Sequence, residues 1–257
     1  RDLHSFPTRR SSDLIESGDM VYQASDDAAT LVRYFGSDSK VDIPAELGGK
    51  PVTSIGVYAF WNCRSLTKVT IPEGVTSIGE SAFQSCISLT EVNIPKSVET
   101  IGDEAFETCD SLTEVTIPEG VTSIGVYAFQ FCNSLPEVTI PEGVTSIGDG
   151  AFADCRSLTE VTISEGVTSI GETTFAGCRS LTEVTIPKSV TSIESHAFYN
   201  CGALATVYYG GTQEDWDALK KNIGDNNTPL LNANIICAIQ ESNGFAYTVT
   251  GDEATIT

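Results

Sequence analysis

A repeat with a fixed step of 23 residues constrains this chain more than any other feature. The step is kept by four columns with seven copies each, which are Cys63, Cys86, Cys109, Cys132, Cys155, Cys178 and Cys201; Ile55, Ile78, Ile101, Ile124, Ile147, Ile170 and Ile193; Phe60, Phe83, Phe106, Phe129, Phe152, Phe175 and Phe198; and Leu66, Leu89, Leu112, Leu135, Leu158, Leu181 and Leu204. Periods of about 20 to 50 residues are typical of solenoids, in which each unit stacks on its neighbours. The chain is therefore predicted to be a stack of coils.

One copy of the repeat, LTKVTIPEGVTSIGESAFQSC, predicts what a single coil contains. Val69 and Ile71 alternate with Lys68 and Thr70, which predicts a short strand with the lysine and the threonine on the outside. Pro72 ends that strand, and the letters VTSI form a second short extended segment. The letters ESAFQSC have the apolar spacing of one helical or 3₁₀ turn that faces inward.

A single coil of this size is not expected to be stable alone. Its few apolar side chains do not offset the conformational entropy lost when 23 residues become ordered. Stacked coils share one core, and their strands pair in parallel about 4.8 Å apart. Both ends of the stack therefore need caps.

The repeat resembles that of the BspA-like leucine-rich repeat family, whose pattern LxxVxIPxxVxxIGxxAFxxC is matched at Leu112–Cys132 by LTEVTIPEGVTSIGVYAFQFC. The resemblance covers about 41–209. It implies an α/β-type leucine-rich-repeat solenoid, right-handed, made mostly of short parallel strands with helical or 3₁₀ turns, and with the LxxVxI strands on the concave side. It also implies bacterial surface or secreted proteins that bind other proteins, often in adhesion. Departures from the pattern are Ser164 for the strand-ending proline, Pro136 within LPEV, and Glu194 for the usual glycine.

The segments outside the repeats predict the caps. MVYQASDDAATLVRYFG predicts a hairpin with Asp26 and Asp27 at its turn, and TQEDWDALKKNIG predicts an amphipathic helix opened by a capping box of Thr212 and Asp215. The C-terminal letters GFAYTVTGDEATIT echo the opening hairpin. The expected organisation is an N-terminal cap with a first irregular coil over 15–51, leucine-rich repeats over 52–209, a C-terminal cap with a helix over 210–237, and the start of a further, truncated module over 238–257.

Residues 1–14 match nothing that follows in composition or period. The letters HSFPTRRSSDL resemble the in-frame translation of a common sequencing-adaptor oligonucleotide, so this segment is expected to be an assembly artefact. A genuine disordered basic tail is the alternative. With an artefact at one end and a truncated module at the other, the chain is expected to be a fragment of a longer protein.

The formal net charge of −21 argues against nucleic acid or anionic lipid as a partner, because both would be repelled. A basic partner, or one bridged by cations, is compatible with this charge. The sequence contains no apolar run of the roughly 18 residues that a membrane span needs, so no membrane insertion is expected in this fragment.

The cysteine column does not predict a metal site, because zinc sites use close pairs such as CxxC and the chain has none. Disulfides between adjacent coils are disfavoured, because in-register side chains would keep the Cβ atoms about 4.8 Å apart, beyond the roughly 3.5–4.5 Å that a disulfide requires. Buried free thiols that pack as small hydrophobic groups are the favoured interpretation.

Two outward columns beside the first strand form the candidate protein-binding face. The first is Lys68, Glu91, Glu114, Glu137, Glu160 and Glu183, and the second is Thr70, Asn93, Thr116, Thr139, Thr162 and Thr185. A solvated acidic face is the simpler interpretation, since repulsion between such exposed carboxylates is weak in water. The alternative is a stripe that binds a basic protein surface or a divalent cation.

Exposed aromatic residues at variable positions are a further candidate, although packing against a neighbouring turn is the favoured role. They are Tyr58, Trp61, Tyr127, Phe131 and Tyr199. An enzyme is disfavoured, because His196 is the one histidine outside 1–14 and no nucleophile motif accompanies it. His196 is expected to be a lone surface residue, and the sequence predicts no catalytic residue, metal or cofactor.

The sequence therefore predicts a non-enzymatic protein-binding or adhesion module of a bacterial surface or secreted protein. Its partner would be a protein, such as a host matrix or surface protein, and the module would be monomeric and extracellular. The alternative is a structural spacer that presents a catalytic or anchoring domain absent from this fragment. The similarity between coils favours that alternative, because a specific epitope needs distinct exposed residues.

Overall fold

The computed structural model describes residues 14–238 and, further on, the backbone of strands within 240–242, 245–250 and 253–256. The expected artefact therefore lies outside the described residues except for Leu14, which begins the first strand. The repeats form a solenoid of stacked coils in which most coils contribute two short strands.

The first strand of each coil contains the column valine and is called the Val strand here. The Val strands of coils 1 to 8 are Lys40–Asp42, Lys68–Thr70, Glu91–Asn93, Glu114–Val115, Glu137–Ile140, Glu160–Ile163, Glu183–Ile186 and Thr206–Tyr209. The second strand contains the column isoleucine and is called the Ile strand. The Ile strands of coils 1 to 7 are Lys50–Ile55, Ser77–Ile78, Thr100–Ile101, Ser123–Ile124, Ser146–Ile147, Ser169–Ile170 and Ser192–Ile193. Paired strands are parallel and in phase with the repeat, as in Val161 beside Val184.

A stack of phenylalanine rings runs through the core. All seven rings of the Phe column are fully buried, with neighbouring centroids 4.9–5.7 Å apart. Tyr34 of the N-terminal cap extends the stack, 5.3 Å from Phe60. Each ring between the two ends of the stack is covered on both faces only because the adjacent coils supply the next rings.

The segment that contains the column phenylalanine is a series of turns rather than the helical or 3₁₀ turn that the sequence suggested. Two residues four positions apart, such as Ser81 and Ser85, have positive φ angles of 52° and 62°. Positive φ is incompatible with a right-handed helical path. Alternate amides instead donate to the next coil, as Phe60 does to the Ala82 carbonyl at 2.7 Å.

The glycine after each Ile strand permits close approach of coils and does not make a turn. None of these glycines has a positive φ. A Cβ on Gly125 or Gly148 would lie 2.4 Å from a backbone amide nitrogen of the preceding coil. The column therefore reflects tight stacking of backbones, which leaves no room for a side chain.

Pro136 interrupts the sheet of Val strands between coils 4 and 5. At the next junction, Thr159 donates its amide at 2.8 Å and its hydroxyl at 3.0 Å to the Pro136 carbonyl. Pro136 itself has no amide hydrogen and no hydroxyl, so it cannot donate in this way to the Thr113 carbonyl. The described Val strands accordingly separate into two sheets at this point. Val115 is half-buried here, whereas the column valines on either side are buried.

Ser164 accompanies a second interruption, in the Ile strands between coils 5 and 6. Its amide donates to the Ile140 carbonyl at 2.9 Å, a bond that the usual proline cannot make. The described Ile strands of coils 5 and 6 are not paired. The Phe152–Phe175 separation of 5.7 Å is the largest in the ring stack, and a Cβ on Gly171 would be 3.4 Å from the nearest backbone atom. Coils 5 and 6 are thus wider apart on this side.

The N-terminal cap is an antiparallel arrangement of strands Leu14–Ser17, Met20–Ala24 and Ala29–Tyr34. The last of these pairs in parallel with the Ile strand of coil 1, so the cap covers the first coil. The connection between the Val strand and the Ile strand is longer in coil 1 than in the other coils. It contains strand Glu46–Leu47, which forms a short hairpin with the Ile strand, and two glycines with positive φ make the turn.

The C-terminal cap begins with the predicted helix Gln213–Leu219. Its capping box is present, with reciprocal bonds between Thr212 and Asp215, and Trp216 and Leu219 are buried beneath the helix. A 3₁₀ helix, Lys220–Asn222, and a second α-helix, Thr228–Asn232, follow. Strand Asn234–Cys237 then pairs with the Val strand of coil 8. The later strands Gln240–Ser242, Phe245–Thr250 and Glu253–Ile256 pair antiparallel, and the second of them meets Asn234–Cys237.

Asn227 completes the cap, because its side chain makes the hydrogen bonds that the backbone of a further coil would make. Its side-chain oxygen accepts the Phe198 amide at 2.9 Å, and its side-chain nitrogen donates to the Glu194 carbonyl at 2.8 Å. Asn227 is 1% exposed, so these bonds satisfy polar groups that water does not reach.

Replacement of Phe129 by alanine should destabilise the chain by about 3–5 kcal/mol, because it leaves a ring-sized cavity in the middle of the stack. Urea unfolding followed by circular dichroism measures the change. Phe35→Ala is the control, since Phe35 is 71% exposed and its loss should cost less than about 1 kcal/mol. Equal losses in the two variants would contradict the structural role of the stack.

Pro136→Thr should stabilise the chain by up to about 2.6 kcal/mol. It restores two hydrogen bonds of about 0.5–1.5 kcal/mol each, against about 0.4–1 kcal/mol lost because the unfolded chain becomes freer. Pro136→Ala restores only the amide and should gain less. The midpoints of thermal and urea unfolding measure both variants, and a lower midpoint for the threonine variant would show that Pro136 is not the cause of the break.

Candidate functional site

The candidate protein-binding face lies on the outward side of the Val strands. Side chains alternate along a strand, so the column valine points into the core while the residues on either side of it point out. In coils 3 to 5 the outward residues are all exposed, from Glu91 and Asn93 to Glu137 and Thr139, whereas Lys68, Glu183 and the threonines of coils 2, 6 and 7 are half-buried. The structure therefore places both columns on one face, as the sequence predicted.

The face is divided into two patches by the break at Pro136. In the first patch Lys68, Glu91 and Glu114 are in register, and Lys68 makes a 2.7 Å salt bridge to Glu91. In the second patch Glu137, Glu160 and Glu183 are in register without a described cation beside them. The sequence predicted parallel pairing between the strands of stacked coils, and that prediction was wrong between coils 4 and 5, because proline has no backbone N–H to donate.

The salt bridge contributes little stability but changes the local charge. Both of its side chains are nearly half exposed, and such pairs contribute about 0.2–1 kcal/mol. Glu91 is nevertheless neutralised locally, so the second patch is the more acidic part of the face. It is accordingly the better candidate for contact with a cationic surface.

A column of threonines next to the face was missed by sequence reasoning. Each of its hydroxyls donates to a carbonyl of the preceding coil at 2.8–3.2 Å. These residues are Thr67, Thr90, Thr113, Thr159 and Thr182. The recurring letters LT before the Val strand were the available signal, and these threonines link neighbouring coils beside the face.

The cysteine column consists of free thiols, as expected. Six of them lie 3.1–3.4 Å from a phenylalanine carbonyl of the preceding coil, as Cys155 does from Phe129. Burial raises the pKa of Cys155 and that of Cys201 to about 12 each. These thiols therefore act as small core residues that give a buried carbonyl a second hydrogen-bond donor.

Cys63 differs from the rest of the column. Cys63 is half-buried. A hydrogen bond with the neighbouring Cys86 thiol lowers the pKa of Cys63, and the positive charge of nearby Arg33 lowers it further, whereas partial burial acts in the opposite direction. Thiolates react with alkylating agents and thiols do not. We therefore expect Cys63 to be the most reactive of the described cysteines, since the other seven are buried.

The variable aromatic residues do not form one surface. The Tyr127 ring packs directly over Gly150 of the next coil, where an added Cβ would lie 2.3 Å from the ring. This contact confirms the expected packing of Tyr127 on a neighbouring turn. Tyr58 and Trp61 instead meet edge to face at the N-terminal end, with ring centroids 6.5 Å apart. Tyr199 is 53% exposed at the opposite end of the repeats.

His196 is not the isolated surface histidine that the sequence suggested. It is half-buried, its Nε2 lies 2.9 Å from the side-chain nitrogen of Asn226, and its ring meets Tyr199 edge to face. His196 therefore joins coil 7 to the C-terminal cap. This arrangement contains no nucleophile paired with the histidine in the described contacts.

Among the described residues, no three histidine, cysteine, aspartate or glutamate side chains are grouped closely enough to hold a metal ion. The alternative in which the acidic column binds a divalent cation therefore has no preformed cluster in that part of the chain. The described helices include none with the length and hydrophobicity of a transmembrane span.

Comparison with protein families gives a match that extends over most of the chain. The model described as "BspA type Leucine rich repeat region (6 copies)" matches residues 40–156, 99–220 and 145–246. No curated protein gives a match. The matched segments include every coil and the C-terminal cap.

Solved structures of leucine-rich repeat proteins are also similar. A protein from Bacteroides ovatus is 34% identical with a TM-score of 0.68, over 77% of this chain and 55% of its own. A T. pallidum leucine-rich repeat protein is 29% identical with a TM-score of 0.70, over 80% and 94%. The pneumococcal vaccine antigen PcpA, 21% identical with a TM-score of 0.53 over 85% and 48%, shares the fold. The chain thus spans about half the length of the Bacteroides ovatus protein.

Alkylation of the folded chain with iodoacetamide near neutral pH should modify Cys63 first among the described cysteines, because the six thiols that follow it in the column are buried. Peptide mapping by mass spectrometry identifies the site, and Cys63→Ser is the control that should remove most of the early labelling. Labelling spread evenly along the column would mean that the coils open readily.

Proposed function

Because the chain belongs to the BspA-type leucine-rich repeat family, we propose that it is a non-enzymatic module that binds proteins through the outward face of its Val strands. The proposal includes the right-handed coil, with that face on the concave side, that the family resemblance implies. It places the module on or outside a bacterial cell, where it would take part in adhesion.

The observation that carries the proposal is an acidic face held on a rigid support. The Glu137, Glu160 and Glu183 side chains project from paired backbone strands whose register is fixed by hydrogen bonds and by the buried ring stack. Such pre-organisation lowers the entropy that is lost on binding. A protein with a basic surface is the partner that this charge favours.

A structural spacer is the second candidate, because the outward residues differ little from coil to coil. Glutamate is followed two residues later by threonine in coils 4 to 7. A specific epitope needs distinct anchors, which are often aromatic or arginine residues. A spacer needs only a soluble surface, and charged residues provide it.

Substitution of glutamine for Glu91, Glu114, Glu137, Glu160 and Glu183 should lower the affinity for a captured basic partner about tenfold or more, since several charge-assisted contacts are lost. Surface plasmon resonance against a panel of extracellular-matrix and mucosal proteins measures it, using the full chain. Binding should also weaken as salt rises, because exposed charges are screened.

The matched control changes five exposed glutamates that lie off this face. They are Glu73, Glu80, Glu99, Glu119 and Glu142. Each variant removes five negative charges from a formal net charge of −21, so an effect of total charge would appear in both. Equal binding by the two variants would overturn the acidic face as the binding site. A lack of capture by the unmodified chain across the panel would favour the spacer.

A further inference from the structure

A cleft lies between the N-terminal cap and the turn segment of coil 1. Its volume is about 460 Å³, and it is lined by Arg33, Phe35 and Ser37 from the cap and by Trp61, Asn62 and Arg64 from the coil. The cleft is open and shallow, so a ligand bound there would leave part of its surface in water. The cleft differs from the acidic columns in composition, because its lining contains no carboxylate.

The charge of this cleft is opposite to that of the chain. The chain has 35 acidic and 14 basic residues, yet two arginines meet here. Neither has a salt-bridge partner among the described residues, and Asp38 nearby is within reach of the Tyr34 hydroxyl at 3.4 Å. The two guanidinium groups therefore make this cleft locally positive on an otherwise acidic chain.

The guanidinium of Arg33 is held in place by two aromatic rings. Its carbon lies 5.9 Å from the centre of Phe35 and 5.8 Å from that of Trp61, and one of its nitrogens donates to the Tyr58 carbonyl at 3.0 Å. Arg64 is fixed by a 2.8 Å bond to Asn62. A guanidinium has five N–H donors, so both arginines keep donors free of the described side chains.

The aromatic rings of Phe35 and Trp61 leave much of their surface exposed to solvent. Phe35 is 71% exposed and Trp61 is 42% exposed, at the edge of an otherwise well-buried core. Flat apolar surface beside fixed guanidinium donors suits a ligand with a carboxylate on one side and a ring on the other. The aromatic face would cover the ring of the ligand, and the arginines would bind its carboxylate in bidentate fashion.

We propose that this cleft binds a single carboxylate attached to a sugar ring, such as a uronic or sialic acid unit. The net charge of −21 sets the limit to one charged group, because a polyanionic chain would extend from the cleft over an acidic surface that repels it. The ligand is either the free acidic sugar or the terminal unit of a glycan. The site does not depend on the acidic face of the Val strands.

Binding is measured by titration of the full chain with glucuronate or N-acetylneuraminate while tryptophan fluorescence is followed. Trp61 reports on the cleft, whereas the other tryptophan, Trp216, is 2% exposed in the C-terminal cap. Saturable quenching should appear with a dissociation constant of about 0.1–10 mM, as expected for a shallow site with few contacts. Glucose, which has no carboxylate, should not saturate in this range.

Arg64→Gln should weaken acidic-sugar binding about tenfold or more, because charge-assisted hydrogen bonds are lost. Arg179→Gln is the matched control, since Arg179 also follows a column cysteine, is exposed, and lies outside the cleft. It should bind as the unmodified chain does. Arg64 is exposed, so neither change is expected to impair folding, which circular dichroism checks.

A comparison of the free sugar with its methyl glycoside distinguishes the two sources of the ligand. Binding of both the free sugar and its methyl glycoside supports a glycan end, and binding of the free sugar alone supports a soluble ligand. Three results would overturn the proposal: no saturable binding by either acidic sugar, equal binding of glucose, or an equal loss in the Arg64 and Arg179 variants. Tighter binding of a heparin fragment than of the monosaccharide would also overturn it. None of these results bears on protein capture by the Val strands.

Discussion

Repetition of the same residue at the same height in every coil is the constraint on which the rest of this structure depends. A buried ring such as Phe106 is covered by Phe83 on one side and by Phe129 on the other, both at 5.2 Å. Buried carbonyls are satisfied in the same way, through thiols and amides of the following coil. Each coil satisfies only part of its polar groups and covers only part of its core by itself, so the two ends need substitutes. Tyr34 and Asn227 supply them, one with a ring and the other with an amide.

The regular part of the fold could be predicted because each column repeats often enough to separate core from surface. The turn segment could not, since its path depends on positive φ at residues as different as Ser81, Tyr127 and His196. Outside glycine, asparagine, aspartate and histidine, side-chain type gives little indication of such a conformation. The repeated glycine can be seen in the sequence, but the reason for it cannot. An added Cβ would lie 2.4 Å from the backbone of the preceding coil, and only the structure shows that approach.

The candidate face illustrates the same limit. The alternation around the Val strands predicted which residues point outward, and the structure agrees for both columns. Continuity of the face was not predictable from the columns alone, because it depends on whether neighbouring backbones pair. Pro136 and Ser164 were recognised as departures from the pattern, yet only coordinates show that each accompanies a lost strand pairing. Asn227 was missed because it follows the last repeat and belongs to no column.

Departures from the repeat have a different meaning at the ends than in the middle. In the middle, an altered residue disturbs two neighbours at once, so it tends to appear as a wider or unpaired junction, as between Phe152 and Phe175. At the ends, one neighbour is absent and side chains from the cap are free to combine with those of the coil. Arg33 and Trp61 come together in this way although 28 positions separate them. In a solenoid whose faces are nearly uniform, the junction with a cap is therefore where a chemically distinct site forms most readily.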